Sequence, residues 1–428
     1  MLRYISKLAT REVISLGQQY LSPAFQTCQI YDQPFAITEG DMQYLWGGLE
    51  NEIPRRFIDL TSMNLTVSLG YDYPVIEYDQ LHHCNSMFYH QPLAEFAKEI
   101  IATLPPHPSG DPWVVHPTNS GSEAIDLVYQ ITALNAPVDS ALLTLTNSSH
   151  GFHGVALQAT DMSNLTHKSP YMRRIHHIKP DVIEFDRYRH LQGSIKSSIG
   201  SLLVEPIQGC GFRTLPDGFM KYTFDHVKKM NGLTFVDEIQ TLFRTGRMWA
   251  FEDHGVIPDG IVFGKGIANG LPLSGLICRR SLTQKFAKKR VFNSFAGNPI
   301  ACSAARSTLS AVFQDNLLNH SLEMGRIFRD GLSRLCKEYP MLYKEVRGSN
   351  GLYQGLVIDG KTAEKARKHA TEIQNRLRDH YDVVVGKSGI CDNVFRIHPP
   401  LAIEEHDIRH VINSLEEAGW VYITEQEL

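Results

Sequence analysis

Apolar positions along the middle of the chain follow two different rhythms. Short, β-rich apolar runs stand at "PWVVH" (112–116), "ALLTLT" (141–146), "SLLVEPI" (201–207), "LTFVDEI" (233–239), "GIVFG" (260–264) and "LSGLICR" (273–279). Helical spacing appears between them, at "SEAIDLVYQITALNA" (122–136) and "GFMKYTFDHVKKM" (218–230). Continuous apolar strands alternating with helices predict an α/β fold with a mainly parallel central sheet covered on both faces. Ligands of such sheets bind at the carboxyl ends of the strands.

The rhythm changes after residue 313. A long helical stretch leads into shorter strands, "GLYQGLVI" (351–358) and "DVVVG" (382–386), and then a last helix, "EEHDIRHVINSLEEAG" (404–419). This predicts a large domain over residues 69–313 and a smaller α/β domain over 314–428. The mixed segment 1–68 is expected to pack with the smaller one. No internal repeat or long linker interrupts the chain.

Composition narrows the classes of function. At 428 residues the chain can bury a large core. A net charge of -4 and the absence of basic runs give no footprint for nucleic acid. No apolar run is long enough to span a membrane. Seven scattered cysteines, with no C-x-x-C, read as reduced intracellular thiols. The N-terminus, with Arg3, Lys7 and Arg11 among apolar residues, reads as a mitochondrial presequence or as a plain amphipathic helix; Glu12 favours the helix.

The chemistry centres on Lys265, which follows an apolar strand and stands between Gly264 and Gly266. Burial disfavours an ammonium, and a neutral lysine is the nucleophile that forms Schiff bases. The flanking glycines would let a bulky adduct approach the backbone. The alternative is a lysine that snorkels out of a turn. "GIVFGKG" is one residue short of a phosphate loop and has Gly266 where magnesium needs a hydroxyl, which discards nucleotide binding.

Asp237 and Glu238 end another apolar strand, and as neighbours they point to opposite faces. Twenty-eight residues separate Asp237 from Lys265, room for a return to the same sheet edge. A lysine and a carboxylate at one edge are what pyridoxal 5'-phosphate requires, the acid serving its ring nitrogen. In "PTNSGSEAIDLV", Ser120 and Glu123 form a capping box. Gly121 and Ser122 place N–H groups at a helix N-terminus suited to a phosphate. An ordinary capped helix is the plainer reading of that motif alone. Phe152 offers an aromatic face. His150 and His153 are three apart, without a third ligand for a metal, and His176–His177 reads as structural.

In order, "NSGSEA", "FHG", "EPIQG", "FVDEIQT", "GKGIANGLP", "SFAGNP" and "FRIHPPL" resemble the class III (ω-) aminotransferases, fold-type I pyridoxal-phosphate enzymes. The resemblance runs from "FAITEGDMQYLW" to the last helix. "YLSPAF" and "FNSFAGNPIACSAA" look closest to the mitochondrial alanine–glyoxylate branch. It implies that Lys265 holds the cofactor and moves the substrate proton. Asp237 would meet the ring nitrogen, Gln240 the ring hydroxyl and Phe152 the ring face. Gly121 and Ser122 would hold the phosphate, with Ser294 reaching the phosphate of a neighbouring subunit in a homodimer or a dimer of dimers. Arg396 would clamp a substrate carboxylate, and Glu205 would stand behind Gln240.

Three positions depart from the family pattern or leave it open. Relatives that accept ω-amines often carry a glutamate just after "EPIQG"; here it is Cys210, so Arg396 is expected to stay free for an α-carboxylate. "DEIQTLFRTG" has Leu242 for a glycine and is one residue short before Arg244. Asn64 occupies a position that often gates substrate. The expected activity is transfer of an amino group from a donor such as alanine to a glyoxylate- or pyruvate-type 2-oxo acid. The alternatives are a phospho-lyase acting on an amino-alcohol phosphate, or a catalytically impaired relative.

Overall fold

A computed structural model of the chain describes residues 8–22, 28–74, 78, 81–137, 140–162, 174–194, 199–288 and 292–426. Arg3 and Lys7, and the end of "YLSPAF", lie outside them. Thr10–Tyr20 is an α-helix that turns Ile14 inward, as an amphipathic helix does.

The central sheet has seven strands. In spatial order they are Trp113–Thr118, Ser274–Arg279, Gly260–Phe263, Leu233–Asp237, Ile199–Val204, Ala141–Leu145 and Ile175–Ile178. The last five are mutually parallel. Ser274–Arg279 runs antiparallel to both of its neighbours. An apolar run buried on both faces carries no sign of its direction, so the sequence could not show this reversal.

Alternate residues of the strands feed two different cores. Leu142, Leu203, Phe235, Val262 and Leu276 pack on one face, with Ala124, Val128 and Ile131 of helix Gly121–Asn135. Leu143, Leu202, Val204, Val236 and Ile261 pack on the other, with Phe219 and Phe224 of helix Phe219–Lys229. Period-two alternation drives both faces out of water, each large apolar side chain contributing about 1.5–3 kcal/mol.

"DVVVG" divides between two further sheets. Val383–Val384 pairs in parallel with Arg55–Asp59, extending the N-terminal strands Phe35–Asp41 and Tyr44–Leu49. Gly386–Ser388 joins Val394–Ile397, Gln354–Ile358 and Tyr343–Gly348 in an antiparallel sheet. The N-terminal strands therefore share a sheet with the C-terminal region. The helical stretch after "SFAGNP" is two helices, Pro299–Gln314 and Leu317–Glu338, separated by Asp315 and the left-handed Asn316. Asn298 caps the first, its Oδ1 accepting from Ile300 N at 2.9 Å, with Pro299 at the first helical position.

Candidate active site

Lys265 and Asp237 stand at the carboxyl ends of adjacent parallel strands, where Asp237 pairs with Val262. Lys265 follows its strand by two residues and opens a short 3-10 turn with φ 46, a left-handed conformation that L-residues rarely adopt. Among the described residues its amine has no hydrogen-bond or ion-pair partner. Burial, reinforced by the positive charge of Arg396 and opposed by Asp237, lowers its pKa to about 7. The amine is thus poised to be neutral near physiological pH. The neighbouring glycines have a different reason from the one expected. A Cβ at Gly264 would lie 2.7 Å from Ser274 Oγ, and one at Gly266 would lie 2.8 Å from Ser68 Cβ. The protein's own packing requires them.

Asp237 and Glu238 separate to opposite sides. Asp237 Oδ1 accepts from Ile239 N at 3.0 Å, and Oδ2 bonds His150 Nδ1 at 2.8 Å. Glu238 turns away from the lysine, accepting from Phe251 N at 2.8 Å and from the Thr241 hydroxyl. Burial raises its pKa to about 7. His150 and His153 do not converge: His150 is buried against Asp237, and His153 is exposed.

The capping box is formed, Ser120 Oγ accepting from Glu123 N and Glu123 Oε2 from Ser120 N. The N–H groups of Gly121 and Ser122 have no partner among the described residues. A Cβ at Gly121 would meet Ile239 Cδ1 at 2.5 Å, and one at Gly151 would meet Ser122 Oγ at 2.4 Å. These close approaches hold the helix N-terminus against the residues around Asp237. Ile239 also touches the position of a Cβ on Gly264, so it lines the space between lysine and helix. Phe152 is 53% exposed at the rim. Ser294 is exposed too, beside Asn293, which bonds Asn119 at 3.0 Å and Glu123 at 3.2 Å.

Among the described residues Arg396 is held by neutral groups alone. Its Nε donates to His398 Nε2 at 2.9 Å, and its Nη2 to Asn64 Oδ1 at 3.0 Å and Gln240 Oε1 at 3.5 Å. Gln240 also accepts from Tyr353 OH at 3.4 Å and packs on Gly209. Glu205 lies behind, accepting from Gly209 N at 2.8 Å and Ser149 N at 2.9 Å. Cys210 is buried, and burial raises its thiol to about 11, so it offers Arg396 no anion.

Asn64 reaches Arg396 from an unusual turn. Ser62, Met63, Asn64 and Leu65 all have positive φ, a left-handed turn without a glycine. Each non-glycine residue there costs roughly 1–2 kcal/mol. The turn is fastened at its entry by Thr61, whose N and hydroxyl both donate to Asp59 Oδ1 at 2.7 Å. Ser62 Oγ donates to His398 O and accepts from Arg244 Nη2, both at 2.8 Å. Arg244 Nη1 also reaches Pro399 O at 2.6 Å. The shortened "TLFRTG" turn therefore aims Arg244 into the protein, joining the Asn64 turn to the segment that carries Arg396. Burial lowers the pKa of Arg244 to about 9.

Sequence reading missed Ile239, Tyr353 and His398, and it weighed His150 only as a metal ligand. Period two from Asp237 could have flagged Ile239. Nothing local marks the other three.

These features fit pyridoxal phosphate: a lysine of lowered pKa and helix N–H donors, both without a partner among the described residues, and a fixed carboxylate beside them. A mitochondrial alanine–glyoxylate aminotransferase 2 homolog of Arabidopsis thaliana is 29% identical, over 94% of this chain and 86% of its own. An ethanolamine-phosphate phospho-lyase homolog of Caenorhabditis elegans is also 29% identical, over 91% and 90%. The crystal structure of the ornithine aminotransferase of Toxoplasma gondii superposes with a TM-score of 0.82 at 23% identity, covering 98% of this chain and 97% of that one, a likeness of fold. The class-III aminotransferase model matches residues 31–418, so the chain belongs to that family of pyridoxal-phosphate-dependent enzymes.

Proposed function

We propose that the protein moves an amino group from an α-carboxylate donor such as alanine to a small 2-oxo acid of the glyoxylate or pyruvate type, in a ping-pong cycle. The observation that carries this is Arg396, a guanidinium near the lysine with only neutral partners among the described residues. A partly buried cation without a counter-charge favours an anionic ligand, and its planar fork suits a carboxylate. The same clamp serves donor and acceptor in turn, because both carry a carboxylate beside the reacting carbon.

The bound cofactor supplies the aldehyde and the electron-withdrawing ring. Gly121 and Ser122 N–H groups would hold its phosphate, Asp237 would meet its ring nitrogen, and Ile239 and Phe152 would bound its ring. Lys265 Nζ would carry the proton from the donor's α-carbon to the carbon that was the cofactor's aldehyde, and in the opposite half of the cycle from that carbon to the acceptor's carbonyl carbon. Arg396 fixes the carboxylate so that this proton faces Nζ.

The phospho-lyase reading stays in view because Arg396 could also receive a phosphate and because the nematode relative carries that name. A donor panel separates the readings. Alanine should turn over and release pyruvate, and γ-aminobutyrate should be far slower. Faster turnover with γ-aminobutyrate, or aldehyde and phosphate released from phosphoethanolamine instead, would overturn the proposal.

The working unit in this reading is a dimer in which Ser294 serves the neighbouring phosphate site. Met87, Phe88, Tyr89 and Phe295 are exposed apolar side chains, and Ser86 bonds Asn293 O at 3.5 Å beside Ser294. A second copy would cover them. The mitochondrial name of the Arabidopsis relative supports that compartment, and fractionation of cells making the protein would test it.

A further inference from the structure

His150 is 2% exposed, and its imidazole meets Asp237 at 2.8 Å with no role in the scheme above. Its surroundings fix it from several directions. The His150 N–H donates to Thr160 Oγ1 at 2.9 Å, and the Gly151 N–H donates to the same oxygen at 3.1 Å. One residue earlier, Ser149 N donates to Glu205 Oε2. One residue later, Gly151 has φ 132 and leaves no room for a Cβ beside Ser122 Oγ. Three consecutive residues thus touch Glu205, Asp237 and the phosphate cradle.

The far ring nitrogen, Nε2, has no hydrogen-bond partner among the described residues. That asymmetry selects the tautomer. A carboxylate accepts, so the proton of the neutral ring belongs on Nδ1, facing Asp237. With Oδ2 engaged by His150 and Oδ1 by Ile239 N, Asp237 cannot swing about its Cβ–Cγ bond without breaking a buried hydrogen bond. Asp237 and Glu205 are the charged groups that act on the imidazole. Burial works against its protonation, but the hydrogen bond and negative charge of Asp237, helped by Glu205, raise its pKa on balance.

We propose that His150 is a positioning residue for Asp237: its Nδ1–H holds the carboxylate in the orientation that receives the cofactor's ring nitrogen. This rests on the assignment of pyridoxal phosphate to the site. It differs from a packing role, in which only the shape of the ring would matter.

The experiment compares His150→Leu, which keeps bulk without a donor, with His150→Asn, whose amide can replace the Nδ1–H. Binding of pyridoxal phosphate and the pH midpoint of the visible cofactor band are measured on each, with thermal melts to check folding. Nitrogen-15 NMR of the imidazole is recorded on the native protein without cofactor. The expected result is an Nδ1–H imidazole, affinity about tenfold or more weaker with a displaced midpoint in H150L, and near-native affinity in H150N. Unchanged binding and midpoint in H150L, equal losses in both variants, or an imidazole that carries its proton on Nε2 alone would each overturn the role of His150. Failure of the native protein to bind the cofactor would overturn the site assignment beneath it.

Discussion

Lys265 shows how one residue can be made both costly and useful. Its left-handed backbone and lowered pKa are unfavourable in the folded chain. Because the folded pKa lies below the unfolded value, the fold penalises the proton. The penalty is absent above the unfolded pKa, grows as pH falls, and is complete below about 7. Lys265→Ala should therefore raise the melting temperature of the cofactor-free protein, and more at pH 6 than at pH 9. The reverse order in scanning calorimetry would contradict the lowered amine. Modification of Lys265 by an amine-reactive aldehyde should accelerate through about pH 7 and then level off. Arg396→Ala should lower kcat/KM for alanine by roughly thirtyfold or more, and Arg396→Lys should recover only part, since an ammonium lacks the bidentate fork. Equal steady-state constants for R396A and the native enzyme would remove the carboxylate clamp. At this scale Lys265, Asp237 and Arg396 were legible because strand ends and ordered motifs mark them. His398 and Tyr353 were not, because each meets Arg396 or Gln240 only after distant segments assemble.

Among elements, the turn at Ser62–Leu65 was the least readable. A left-handed turn is normally signalled by glycine or asparagine, and only Asn64 gave such a hint. Its stability comes from outside, through Asp59, Arg244 and His398. The Arg244 side chain also shows why the shortened "TLFRTG" turn could not be judged from sequence: its partners lie about 150 residues or more away along the chain. Arg244→Met keeps length but removes the donors to Ser62 Oγ, His398 O and Pro399 O, and leaves Pro399 O without its guanidinium partner. It should destabilise the protein by about 3 kcal/mol or more in denaturant unfolding, and free Asn64 from its set position. A loss under about 1 kcal/mol would show that water replaces the guanidinium. The regular elements were easier. Apolar runs located the six expected central strands, and the capping box located helix Gly121–Asn135. Strand direction and the division of "DVVVG" between two sheets depend on partners, not on local pattern.

For the whole molecule, the parallel sheet brings the ends of two strands and one helix together, and the segments around Asn64 and Arg396 close over them. The exposed apolar group at Phe88, Tyr89 and Phe295 lies on the segments that meet at Asn293. Sedimentation should show a dimer or larger even unit, and Tyr89→Asp with Phe295→Asp should shift it toward monomer and lower cofactor affinity. A fully active monomer would contradict the shared phosphate site.

The most direct test is the visible spectrum of the protein with pyridoxal phosphate, recorded before and after alanine, with pyruvate assayed in the same sample. The account predicts a cofactor band that bleaches on alanine, with about one pyruvate released per active site. A band that alanine leaves unchanged, or no band at all, would contradict it.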